Sequence, residues 1–349
     1  MTLKKTGLIL LGVLLILSGC NGRGEPVAVP ALARIMVDGT ATDIPVDTYG
    51  DYIRVRGALS ATDSREDLIA IAGLLRDLAG TDYAPDMEQF AVDMKAYIEE
   101  SVRPDESYMK QLHLVAGVLD ITEEVFDILS FDLLSQHLAG LMFDKIWDEM
   151  PDDDFIDDTR AEDEQMDAKY DACLDIFYAY LDTLPTRVLP TDDPAVFLIE
   201  GETFILDGNP SYYVDYCRYL THIETIYQIM EITAFVTDMQ NYGATYDEAA
   251  AGTEADSRIA ELYEEASMTA WLEEAFVEIG IAKADFDASY RAMQMLDIRF
   301  SGCSEAFAAA YEARPEADAD LTESDFYSVL MSRLMEGSEI VTVTVLPEN

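Results

Sequence analysis

Three histidines, His113, His137 and His222, are the only imidazoles among 349 residues. No two of them stand at the i, i+4 spacing that puts a pair of zinc ligands on one helix face. A zinc centre would have to be assembled from distant helices, and each histidine reads more simply as a core or surface side chain. No serine sits in a Gly-x-Ser-x-Gly elbow, and no Gly-rich loop opens a helix after a strand, so nucleophilic and nucleotide chemistry have no support. Glycoside hydrolysis needs two carboxyl groups about 5 to 10 Å apart. With 69 acidic residues in the chain, spacing singles out no pair, and no catalytic residue is assigned. The densest run is Asp152, Asp153 and Asp154, followed by Asp157 and Asp158. Calcium takes six to eight oxygen ligands from such loops. The stretch from Asp157 to Glu162 lacks the turn glycine and closing glutamate of an EF-hand, and like charges repel one another in a solvated linker. The two readings are a weak calcium site and a solvated linker. No other cofactor is expected.

Aromatic and sulfur chemistry also leaves alternatives. Tyr212, Tyr213, Tyr216 and Tyr219 crowd one helix start, and Tyr178 and Tyr180 another. Rings among carboxylates suit a cationic or sugar ligand through cation–π contact and stacking, while the same spacing describes a core stripe. Cys173, Cys217 and Cys303 fall on apolar helix faces, where they serve either as small buried hydrophobes or as one disulfide plus a thiol. The preferred bridge is Cys173 with Cys217, since a hairpin expected between their helices would draw them together.

The fourth cysteine carries the most specific pattern. Lys4 and Lys5 precede an apolar run from Gly7 to Leu17, and Leu17-Ser18-Gly19-Cys20 follows. That run is a secretory leader in layout and falls well short of the roughly 20 residues that span a bilayer. The segment resembles the lipobox of bacterial lipoproteins. The resemblance covers residues 1 to 20 and implies that residues 1–19 leave as a signal peptide and that Cys20 is acylated. The protein would then sit on the extracytoplasmic face of the cell membrane or outer membrane. Two or more acyl chains, at about 0.8 kcal/mol per buried CH₂, hold a soluble domain durably, whereas one does not. The alternative is an ordinary cleaved signal that releases the protein. Asn21 is not the aspartate that resembles an inner-membrane retention signal.

Composition narrows the partners. The chain holds 22 basic residues against its 69 acidic ones, a formal net charge of −47, and becomes two units more negative once Lys4 and Lys5 leave. Nucleic acid is excluded as an unaided partner, because phosphate binding requires clustered Lys and Arg. Such a field favours cationic ligands and basic proteins and repels anionic polymers. Half of the residues are hydrophobic, so a substantial core is available.

The elements that must position these groups are mostly helices. Residues 20–32 are rich in Gly and Pro and read as a tether. Ala33–Val37 and Tyr52-Ile53-Arg54-Val55-Arg56 read as short strands, the second by its apolar–charged alternation. Helical periodicity is then expected from a Ser64 cap to Leu78, and from Pro85 onward through Met87, Phe90 and Met94 to a stop at Pro104. Further helices carry Tyr108 to Leu119 and a stretch from about Asp120 toward Trp147. An acid-rich segment between Asp148 and Asp171 contains 12 carboxylates and only Arg160 and Lys169. Helical spacing returns from Met166 to Leu184. Val196–Ile199 and Thr203–Leu206 predict a β-hairpin around Glu200-Gly201-Glu202. The longest helix is expected over Ser211–Gln240, with others over Glu254–Ile279, Phe286–Phe300 and Thr322–Glu336. Ile340–Val345 predicts a final strand, with the N-terminal strand and the hairpin as alternative partners.

Short connections imply antiparallel neighbours. The expected fold is therefore mainly α, an antiparallel multi-helix bundle with a small accessory β-hairpin and terminal strands. The acidic helical region 33–349 is expected as one domain, with 33–184 and 185–349 as alternative lobes. The functional expectation is a membrane-anchored lipoprotein that binds or scaffolds. A carboxylate-dependent hydrolase and a divalent-cation-binding envelope protein are the alternatives.

Overall fold

A computed structural model of the chain describes residues 31–37, 39–120, 125–151, 162–184, 196–199, 202–205 and 210–341. Cys20, the chain up to Pro30, and the acidic candidates Asp152, Asp153, Asp154, Asp157 and Asp158 lie outside the described residues. Among those residues, eleven α-helices and a few short strands realise the expected mainly α architecture.

The longest helix, α1, runs from Val46 to Leu78. At 1.5 Å per residue it is about 50 Å long. It absorbs Tyr52–Arg56, which therefore do not form a strand, and it runs through Ser64, which is not its cap. Its buried stripe is Val46, Gly50, Ile53, Gly57, Ala61, Ser64, Leu68 and Ile71, at helical steps of three and four. Four of those residues are small or polar, so a count of hydrophobic side chains misses the period. Ser64 satisfies its hydroxyl within the helix, donating to the Ser60 (2.9 Å) and Ala61 (3.1 Å) carbonyls.

Caps account for the next boundaries. Asp86 accepts from the Glu88 and Gln89 amides to start α2, Met87–Tyr97, which widens into a π turn over Ile98–Val102 before Pro104. Asp105 accepts from the Tyr108 amide to start α3, Glu106–Leu119, and Asp120 ends it with φ +54°. Helices α4 (Val125–Glu149), α5 (Glu162–Leu181) and α6 (Pro210–Met239) follow.

The stretch expected as one helix over 254–279 is two, α7 (Glu248–Leu262) and α8 (Ala266–Ile279). No Gly or Pro marks the break. Tertiary contacts with α9 (Lys283–Ser301) hold it instead. The Tyr263 hydroxyl donates to Asp287 at 2.6 Å, and Lys283 Nζ lies 3.2 Å over the Tyr263 ring. Helices α10 (Ser304–Glu312) and α11 (Glu323–Met335, capped by Thr322) complete the set.

Strand β1 (Ala31–Val37) pairs antiparallel with β2 (Thr40–Pro45), Ile35 opposite Thr42 and Val37 opposite Thr40, around Gly39 at φ +73°. Strands β3 (Val196–Ile199) and β4 (Glu202–Ile205) form the expected hairpin, with Phe197 opposite Phe204. The last strand, β5 (Glu339–Ile340), pairs with β1 through Ala33 and Ile340, giving a sheet order β2-β1-β5. Residues 342–345 of the expected terminal strand lie outside the described residues.

The described residues from Ala31 onward form one compact unit with two hydrophobic cores. The first packs the sheet, the N-terminal half of α1 and the C-terminal half of α6 against α8 to α11, around Ile35, Ile53, Ile229 and Met293. The second packs the C-terminal half of α1 and the N-terminal half of α6 against α2, α3 and α4, around Leu74, Leu112, Leu138 and Ile223. Helices α1 and α6 thus run antiparallel as a spine common to both cores. Each fully buried Leu or Ile contributes about 1.5–3 kcal/mol, so the spine is the most strongly held part of the molecule. Between the cores it has a waist.

Candidate functional site

The waist is formed by close approach of α1 and α6. Gly57 lies against His222 so tightly that a Cβ at position 57 would stand 2.2 Å from Nε2 and 2.6 Å from Cδ2. His222 is 7% exposed, and neither of its buried nitrogens has a hydrogen-bond partner among the described residues. The Tyr219 ring meets it edge-on. Burial, followed by the Arg218 and Arg54 charges, lowers the imidazole from 6.5 to about 4. His222 is therefore neutral, a packed aromatic ring at the helix crossing.

A set of arginines ties α8 across this crossing. Arg65 of α1 donates to both Glu278 oxygens at 3.0 and 3.2 Å, and Arg218 of α6 donates to one of them at 3.1 Å. The Arg65 hydrogen bond leads in holding the Glu278 carboxyl below its usual range. Arg54 donates to the Ile279 carbonyl at 2.9 Å, capping the C-terminal end of α8.

Along the N-terminal half of α8, a cleft of about 540 Å³ opens between α1, α6, the end of α7, α8 and α9. That volume lies within the roughly 300–1,000 Å³ range of small-molecule sites. Tyr52 and Phe286 are buried at its base, Tyr290 leans over them, and Trp271 stands half exposed at its mouth. The Tyr290 and Phe286 rings stack at 5.6 Å and an interplanar angle of 9°, and Tyr52 meets Tyr290 at 5.7 Å. The polar lining comes from one stripe of α1, Arg56, Ser60 and Asp63, with Thr221 of α6 and Gln294 of α9. Arg56 donates to the Tyr52 hydroxyl at 3.4 Å. Desolvation raises the Asp63 carboxyl above its usual range. Gln294 is 9% exposed, and its Oε1 accepts from Arg258 at 3.1 Å. Such a bond fixes the amide's orientation.

Around the corner of α1 lies a carboxylate group without a paired cation. Desolvation, then Asp132, Asp63 and Glu66, push Asp67 up to about 6, although its side chain keeps solvent contact. Among the described residues no three His, Cys, Asp or Glu side chains are placed to hold a metal ion.

The remaining sequence candidates are dispersed. Tyr213 and Tyr216 belong to the second core, Tyr180 donates to Asp77 at 2.6 Å, and Tyr178 is exposed. Tyr213 and Tyr216 therefore pack as a core stripe. His137 lies against the Phe90 ring, and His113 lines a shallow depression on α3. Cys173, Cys217 and Cys303 are free thiols. Cys173 lies 3.9 Å from Met150 Sδ, Cys303 is beside the Tyr246 hydroxyl at 3.1 Å, and burial pushes Cys217 up to about 12.

The sequence carries a trace of the cleft. Tyr52, Arg56, Ser60 and Asp63 stand at i, i+4, i+8 and i+11, one helical face bearing a ring, a guanidinium, a hydroxyl and a carboxylate. Reading Tyr52–Arg56 as a strand broke that face in two. Comparisons with protein-family models, curated proteins and solved structures return no match to this chain.

Proposed function

We propose that this protein is a membrane-anchored, extracytoplasmic lipoprotein of binding type, held by acyl chains on Cys20, and that the cleft at the waist is its ligand site. The anchor rests on the leader and the Leu17-Ser18-Gly19-Cys20 pattern. The observation that carries the binding role is the 540 Å³ cleft, with aromatic walls set on long helices that the arginine–Glu278 cluster locks in place. Rigid aromatic surface with a few oriented polar groups is the usual make-up of a small-molecule site. Binding is favoured over hydrolysis because Asp63 is the single carboxylate among the lining residues, whereas paired-carboxylate chemistry requires two.

Native mass spectrometry of the full chain, extracted from its own envelope, tests both parts. The expected spectrum shows an N-terminus at Cys20 carrying a diacylglyceryl mass and a small-molecule adduct that Trp271→Ala abolishes. A chain with residues 1–19 attached would refute the anchor. A chain without any adduct under gentle extraction would refute the cleft as a loaded ligand site.

A further inference from the structure

We infer that the cleft takes a neutral saccharide, bound with a sugar face on its aromatic wall and its hydroxyls on Arg56, Asp63 and Gln294. This inference rests on the cleft being the ligand site. Its first support is charge. The lining carries one cation, Arg56, and one carboxylate, Asp63, so its net charge is zero in a protein whose overall charge is −47. The surrounding field repels anions, and the Arg56 guanidinium in the lining opposes a cation that would otherwise seek the rings. A neutral ligand meets neither penalty.

The second support is hydrogen-bonding capacity left unspent along the cleft lining. Gln294 is nine-tenths buried, and its Oε1 is taken by Arg258, which leaves Nε2 as the free end of the amide. Among the described residues Nε2 has no acceptor, and it is not sealed from the cleft. A ligand acceptor aligned on Nε2 takes the place of the solvent that reaches it. Arg56 makes one hydrogen bond among the described residues, to Tyr52, and its charge acts on Glu224 without an ion-pair contact, so its remaining N–H groups stay open to solvent at the cleft. Asp63 accepts from no described residue. Planar donors and a bidentate acceptor at the margin of an aromatic wall match a polyol ring, whose C–H face is apolar and whose edge alternates donor and acceptor. An apolar ligand would bury these groups unsatisfied.

Isothermal titration of the full chain, in a detergent without a sugar headgroup, tests the assignment with cellobiose, maltotetraose and chitobiose as neutral probes. Choline and a galacturonate oligomer serve as charged probes. At least one neutral saccharide is expected to bind. Trp271→Ala and the exposed Arg56→Gln should each weaken it about tenfold, the equivalent of one good hydrogen bond or stacking contact. Gln294→Leu should do the same, with circular dichroism confirming its fold. Choline binding without saccharide binding would overturn the sugar assignment and leave the cleft as a ligand site. Failure of every probe, on a chain that also carries no adduct from its own envelope, would remove both. Saccharide binding indifferent to Trp271→Ala and Arg56→Gln would place the sugar elsewhere and overturn the inference.

Discussion

Replacing Gly57 by alanine tests whether the helix crossing is held by contact between the Gly57 backbone and the His222 ring. In an ordinary helix interior Gly→Ala stabilises by about 1 kcal/mol, because glycine loses more backbone entropy on folding. Here the new Cβ would stand 2.2 Å from His222 Nε2, 2.6 Å from Cδ2 and 3.1 Å from Arg218 Cγ. The imidazole has little room to retreat, being 7% exposed with Tyr219 edge-on against it. Overpacking of this kind costs about 1–3 kcal/mol, and so severe a contact belongs at the upper end. The net expectation is a loss of about 2 kcal/mol. In a His222→Ala background the nearest obstacle becomes the flexible Arg218 stem, and Gly57→Ala should regain its ordinary gain of about 1 kcal/mol. The coupling between the two sites is then about 3 kcal/mol, the top of the range for residues in contact. Urea denaturation of the four proteins, followed by far-ultraviolet circular dichroism at pH 8, where imidazole is neutral in both states, measures it directly. A coupling below about 0.5 kcal/mol, or stabilisation of the wild type by Gly57→Ala, would refute the close-approach account.

Two further outcomes follow from the same geometry. His222 titrates near 6.5 in the unfolded chain and at about 4 in the fold, so the unfolded state takes up the proton first. Its effect on stability is absent above pH 6.5 and grows unfavourable as pH falls toward 4, at about 1.4 kcal/mol per unit. Asp67, raised from 3.8 to about 6, acts in the opposite sense. It binds its proton more readily when folded, so its penalty is relieved as pH falls through 6. Denaturation midpoints between pH 7.5 and 4.5 should therefore fall more steeply in the wild type than in His222→Gln, and parallel profiles would contradict a buried neutral imidazole. Cys173 and Cys303 are buried and Cys217 is pushed up to about 12, so all three should resist iodoacetamide at pH 8 in the native state. Without reductant they should all react in guanidinium. A pair that reacts only after reduction would reveal a disulfide.

Helices with large apolar side chains on their buried face were legible because every third or fourth residue announces itself. The span expected over 211–240 is α6 almost to the residue, and Asp86, Asp105 and Thr322 cap their helices by the usual chemistry. The first half of α1 was illegible because the small residues Gly50, Gly57, Ala58 and Ala61 interrupt Val46, Ile53 and Val55 on its buried face. Small residues mark where another backbone comes close, and they are indistinguishable from tolerated ones until that partner is known. The α7–α8 break failed for a related reason. Nothing local ends the helix, and the turn is held by Lys283 and Asp287 more than 15 residues onward. The cleft draws its walls from five helices, so no single stretch of chain announces it.

The amino-acid order alone settles the periodicity of helices whose buried faces carry large apolar side chains and the excess of negative charge, because each depends on neighbours within a turn or on a simple sum; the one cap read from it, Ser64, lies inside α1. Only the tertiary arrangement decides that α1 and α6 cross at Gly57 and His222, that β5 joins β1 rather than the hairpin, and that Tyr52, Trp271 and Gln294 face one another. Most of those are meetings between residues more than 150 positions apart. Their free energy comes from burial and shape matching, which periodicity along one chain does not encode.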